Sequence, residues 1–94
     1  MITIVFTLPP DFPSDTVAAW IGNVLWGPNG SASVWFPDDG KWDLGNQGSW
    51  FLRVEDDSRC VVSSRGHHPP DVYRAIVTVL TYFANVRDAT ISGA

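Results

Sequence analysis

The sequence is poor in cysteine and contains no long apolar run. Cys60 is the only cysteine, which excludes an internal disulfide and suits a reducing compartment. No window reaches the ~18 uninterrupted apolar residues that a membrane-spanning helix needs. The opening stretch "MITIVFTLPPDFP" has neither a basic segment nor a small-residue cleavage site, so we do not expect a secretory signal. These features together predict a cytoplasmic protein that does not interact with membranes.

Basic residues are also scarce. The 94 residues include 6 Lys and Arg against 10 Asp and Glu, a formal net charge of −4. The imbalance lies in residues 1–58, where eight acids face only Lys41 and Arg53; residues 59–94 carry four arginines against two acids. Because phosphate neutralisation needs a basic patch, we expect no direct binding of nucleic acid. A basic protein is the natural complement of such a chain, although a modest negative charge also serves solubility alone.

The length and composition predict one α+β domain over residues 1–94, with a frayed tail at 87–94. A buried strand is expected in "ITIVFTL", and an amphipathic helix is expected from Ser14, as its N-cap, to the "GPNG" turn. A second helix is expected after "GHHPPD", where Pro70 and Asp71 suit a first turn. The predicted order is β-α-β-β-β-β-α, an antiparallel or mixed sheet of four to five strands with two helices.

The middle of the chain is typical of a β-meander that brings two acidic turns together. Strands are expected at 31–36, 49–55 and 59–64, and a short one at 41–44 unless residues 37–48 form one long loop. Alternate turns of a meander lie at the same edge of the sheet, so the first and third turns should be neighbours. Trp42 is expected beneath them, and Asp43 just beyond the first turn. The acids that this geometry places at one edge are Asp38, Asp39, Glu55, Asp56 and Asp57.

Strand alternation also predicts an aromatic cluster on one face of the sheet. If both helices cover the face that carries Val34, Phe36, Leu52 and Val54, the opposite face presents Trp35, Phe51 and Arg53. Aromatic residues and arginine are enriched at binding hot spots. The alternative is that a helix covers each face, in which case these aromatic side chains belong to the core.

No motif for catalysis, metal or cofactor binding emerges from the sequence. His67 and His68 are adjacent, so in an extended loop they point to opposite sides, and His68 or Ser64 is expected to help cap the second helix. Cys60 alternates with apolar residues in a strand and is expected to be buried. The acids around residue 40 lack calcium-loop spacing, and "GPNGSAS" lacks the ending of a phosphate-binding loop. We therefore expect no cofactor, no metal and no catalytic residue.

The stretches "WFPDDGKWD" and "RVEDDSR" resemble, in general character, the small bacterial immunity proteins of toxin–immunity pairs. The resemblance implies a compact cytoplasmic protein that blocks a basic partner such as a nuclease toxin domain, with an acidic surface steering it onto the toxin. One alternative is a phage-type inhibitor that mimics nucleic-acid charge to block a host defence complex. Another is a small-molecule binder that uses the sheet aromatics and His67 or His68.

Overall fold

The computed structural model describes residues 2–28, 33–45, 49–55, 58–66 and 68–93. It confirms the α+β class, with two helices and a fully antiparallel sheet. The first helix begins at Ser14 and ends where Gly27 adopts a φ of 81°. In chain order the elements are β1 (Thr3–Thr7), α1 (Ser14–Trp26), β2 (Val34–Phe36), β3 (Lys41–Asp43), β4 (Trp50–Val54), β5 (Arg59–Ser64), α2 (Pro70–Phe83) and β6 (Thr90–Ser92).

The strands lie in the order β2-β3-β4-β5-β1-β6, so the meander from β2 to β5 forms as predicted. The described residues contain six strands, one more than the upper end of the expected range, because the tail contributes β6. That tail was expected to fray, but Ile91 lies opposite Ile4 in an antiparallel pair. Pairing with β6 satisfies the backbone groups of β1 that would otherwise form an open edge. A three-residue strand is too short to show a periodic pattern in the sequence.

The tail is also held by Asp88, which lies just before β6. Its carboxylate accepts hydrogen bonds from the backbone N–H of Thr7 (2.9 Å) and from the Thr7 hydroxyl (2.7 Å). These two bonds lower the pKa of Asp88 below its ordinary value of 3.8, the backbone N–H having the largest effect. The ionised carboxylate therefore joins the end of β1 to the tail.

Replacing Asp88 by asparagine is expected to lower the free energy of unfolding at neutral pH by about 1 kcal/mol or less, since the side chain is exposed. A folded-state pKa below the unfolded one contributes stability that is present above the unfolded pKa. That stability is lost as the pH falls through the folded value. The difference between wild type and Asp88→Asn should therefore shrink below about pH 4. Urea unfolding of both proteins at several pH values measures this difference in stability. A difference that stays constant below about pH 4 would contradict the role of the charge.

Both helices pack on one face of the sheet. Strand residues on that face are fully buried, among them Ile4, Leu52 and Val62, and they share one core cluster with helix residues such as Ile21 and Leu80. The opposite face carries the partly buried and exposed members of the alternating patterns of β1, β4 and β5. None of the described elements lies across that opposite face, which we call the open face.

The register assigns the side chains of β2 to the two faces differently from the sequence prediction. Trp35 pairs with Trp42, and Trp42 with the buried Leu52, so Trp35 lies on the helix-covered side. Val34 and Phe36 therefore share the open face with Phe51 and Arg53, the reverse of the expectation. A strand that slips by one residue turns every side chain to the other face. Here the length of the turn at 37–40 decides which residues of β2 face the core.

Cys60 is fully buried in the core, as the strand pattern predicted. Burial, with a smaller effect of the nearby Glu55 carboxylate, raises the pKa of the Cys60 thiol to about 11. The thiolate is the reactive form of cysteine. Cys60 is therefore an unreactive core side chain.

Iodoacetamide at about pH 8 is expected to label Cys60 in the urea-unfolded chain and to leave the folded chain essentially unmodified, because roughly one buried thiol in a thousand is ionised at that pH. Mass spectrometry of both samples over the same time course measures this. Labelling of the folded chain at the rate of the unfolded one would contradict the buried position.

Candidate partner-binding surfaces

The expected neighbourhood of acidic residues is present where the structure describes them. The backbone N–H of Val54 donates to the carbonyl of Gly40 at 2.8 Å, which places the turn between β2 and β3 directly beside the end of β4. Asp38 and Asp39 in that turn and Glu55 after β4 are all exposed. We call Asp38, Asp39 and Glu55 the acidic edge. Asp56 and Asp57, predicted to belong to it, lie outside the described residues.

The turn requires glycine at position 40. Gly40 has a φ of 62°, in the left-handed region that other L residues rarely adopt. A Cβ atom there would also lie 3.4 Å from the carbonyl oxygen of Val54. Position 40 therefore favours glycine chiefly because of its left-handed backbone conformation.

Strand β2 continues the acidic edge as an exposed apolar strip. It is the outermost strand, and its free side pairs with none of the described strands. The exposed fractions are 54% for Val34, 39% for Trp35 and 41% for Phe36. Three consecutive apolar residues with this exposure are unusual for an edge strand, which is normally protected by charge or cover. Apolar and acidic groups are thus adjacent at one margin of the molecule.

Trp42 lies close to the acidic turn but is mainly a structural residue. It is partly buried against the core, its ring lies 5.2 Å from that of Trp35, and its Nε1 donates to the Ser14 hydroxyl at 3.1 Å. Ser14 was expected to cap α1, but its side chain makes no such bond and Pro13 occupies the N-cap position. Trp42 therefore packs against Trp35 on the helix-covered side of the sheet.

Asp43, Phe51 and Arg53 lie on the open face, apart from Trp35. Asp43 is at the far end of β3 from the acidic turn, and its carboxylate accepts a hydrogen bond from the N–H of Gly45 at 2.9 Å. The predicted cluster of Trp35, Phe51 and Arg53 does not form, because the side chain of Trp35 lies on the opposite, helix-covered side of the sheet. Asp43 likewise does not belong to the acidic edge.

Sequence reasoning missed a group of cations on the open face. Lys41 pairs with Arg53, and Arg59 follows on the same face of β5. The Nζ of Lys41 lies 4.3 Å and the guanidinium carbon of Arg65 5.8 Å from the centre of the Phe51 ring. We call Lys41, Arg53, Arg59 and Arg65 the cationic face. These residues are up to 24 positions apart in the chain, so only the register reveals the group.

His68 takes part in an aromatic cluster at the start of α2. Its ring lies 4.8 Å from the buried Trp50, and its Nε2 is 3.1 Å from the carbonyl oxygen of Arg65. Ser64 is hydrogen-bonded to the hydroxyl of Tyr73 at 2.8 Å. Neither caps α2, contrary to the expectation, since α2 has no side-chain cap and Pro69 occupies that position. His67 lies outside the described residues.

Among the residues that the structure describes, no three His, Cys, Asp or Glu side chains are grouped to hold a metal ion. Neither of the two described helices is long and apolar enough to cross a bilayer.

No protein-family model, curated protein or solved structure matches this chain. Its function therefore has to be inferred from its own surfaces.

Proposed function

We propose that this chain is a cytoplasmic antagonist that binds and neutralises a basic protein, in the manner of an immunity protein that blocks a nuclease toxin. The observation that supports the proposal is the continuity of the acidic edge with the exposed apolar strip of β2. Charge alone would be compatible with a merely soluble protein. Exposed carboxylates beside three exposed apolar residues supply both charge complementarity and apolar contact area, the two properties that a protein interface needs.

The acidic edge would act before contact. Carboxylates at Asp38, Asp39 and Glu55 attract a basic surface over about one Debye length, some 8 Å at physiological ionic strength. A groove that binds nucleic acid through lysine and arginine is such a surface. Steering of this kind raises the association rate more than it raises the lifetime of the complex.

The apolar strip would act after contact. Burying Val34, Trp35 and Phe36 removes apolar area from water, and aromatic residues dominate the energy of many interfaces. Trp35 is held by Trp42, which is itself tied to α1, so little side-chain freedom remains to be lost on binding. The dissociation rate should therefore depend on β2 more than on the acids.

A neutralisation assay tests the proposal. The chain is coexpressed with the product of the adjacent gene, and the purified neighbour is titrated with the purified chain while its nuclease activity or toxicity is measured. We expect activity to fall to zero at a stoichiometric ratio, in one complex. Full activity in the presence of excess chain, or equal binding to an unrelated protein of similar positive charge, would overturn the proposal.

A further inference from the structure

The open face carries an excess of positive charge on a chain whose net charge is negative. Lys41 lies directly opposite Arg53 in the β3–β4 pair, and Arg53 directly opposite Val61. Arg59 is two residues before Val61 on the same side, and Arg65 reaches the ring of Phe51 from the other end of β5. Four of the six basic residues of the whole chain thus lie on this face.

This arrangement costs stability within the molecule. Like charges directly opposite each other on neighbouring strands are destabilising. Among the described residues, the only salt bridge joins Asp71 and Arg74 on α2, so none of the four cations has a carboxylate within 4.0 Å there. Lys41 and Arg65 both lie over the Phe51 ring, and Arg65 is exposed. Asp43 lies on the same face and Asp88 lies close to Arg59, so the cations are partly offset, but an excess of positive charge remains among the described residues.

Apolar side chains fill the spaces between the cations. Val34 and Phe36 are exposed on this face, and Phe51, Val5 and Val61 are partly buried in it. A ligand that covers the face must therefore offer apolar groups as well as negative charge.

We propose that the open face is a docking surface for an acidic, partly apolar segment of another protein. The occupant lies across β3 to β5, with its carboxylates on Arg53, Arg59 and Arg65 and its apolar side chains against Phe51 and Val61. This surface has the opposite sign of charge from the acidic edge, and its occupancy does not depend on the function proposed above.

Two other occupants fit this surface less well. A second copy packed face to face would set cation against cation. Single-stranded nucleic acid needs free aromatic rings for stacking, but on β3 to β5 of this face Lys41 already lies over Phe51. The acidic edge also borders the face and would repel a long polyphosphate. A protein segment with a few spaced carboxylates avoids that repulsion.

Binding of a labelled peptide tests the inference. The probe is a dodecapeptide that alternates glutamate with valine, and its affinity is measured by fluorescence anisotropy. Arg53→Glu with Arg65→Glu is expected to weaken binding by at least about tenfold. Glutamate at position 53 would face Lys41, so the fold should tolerate it; far-UV circular dichroism checks this. Raising the ionic strength from about 0.02 to 0.15 M should weaken wild-type binding.

A matched control is Arg74→Glu with Arg87→Glu, which changes the net charge equally at exposed positions outside the cationic face. We expect its affinity to stay within about twofold of wild type. Equal weakening by both double variants, or no binding by the wild type, would overturn the inference. Tighter binding of an oligothymidylate of the same length, lost in Arg53→Glu with Arg65→Glu, would overturn it in favour of nucleic acid.

Discussion

Replacing Asp38 and Asp39 together by lysine is expected to slow association with the basic partner by about ten- to a hundredfold at low ionic strength. Both side chains are exposed in the turn beside β4, so the change alters the potential of the acidic edge without touching the core. The dissociation rate should change much less, because β2 is unaltered. Stopped-flow mixing with the purified partner over a range of salt concentrations measures both rates. The salt dependence of association should decrease in the variant.

Single reversals provide the matched comparison. Asp39→Lys and Asp71→Lys change the net charge equally, but Asp71 lies in the first turn of α2, which follows the end of β5 that is opposite the acidic edge. Its ion pair with Arg74 is highly exposed, so its loss should cost well under about 1 kcal/mol. Only Asp39→Lys should slow association. Equal slowing by both variants would mean that the association rate depends only on the net charge of the chain. No slowing by either variant would exclude electrostatic steering.

Replacing Trp50 by alanine is expected to lower the free energy of unfolding by about 3–5 kcal/mol. Trp50 is 1% exposed, and its ring lies 5.3 Å from that of Tyr73 and 4.8 Å from that of His68. The change leaves a cavity where β4 meets the start of α2. Since small domains are stable by only about 5–15 kcal/mol, a large part of the total would be lost. Urea unfolding followed by far-UV circular dichroism measures the difference.

Trp35→Ala is the control for this prediction. Trp35 is 39% exposed and its ring rests against Trp42, so removal of the ring leaves no closed cavity. We expect a loss of about 1 kcal/mol or less in unfolding free energy, together with faster dissociation of the partner. A loss in Trp35→Ala equal to that in Trp50→Ala would mean that β2 is covered in solution.

Local patterns were sufficient for much of the framework. The apolar spacing of α1, the proline at the start of α2 and the alternation of β4 and β5 predicted those elements and placed Cys60 and Leu52 in the core. Each of these segments is long enough for a period of 3.6 or 2 to repeat, so the residues themselves carry the information. Topology then placed the turn at 37–40 beside the end of β4, because antiparallel neighbours bring alternate turns to one edge.

Register and pairing were decided only in the folded chain. In a three-residue strand such as β2 or β6, either the central residue or the two flanking residues can face the core, so the sequence does not determine which side is buried. The turn at 37–40 and the hydrogen bond from Val54 to Gly40 fix that choice, and they turn Trp35 towards Trp42 and Phe36 towards Arg53. The cationic face follows from the same cause. Its charges come from three segments that the sequence separates and the antiparallel ladder joins, so an acidic chain acquires a basic surface.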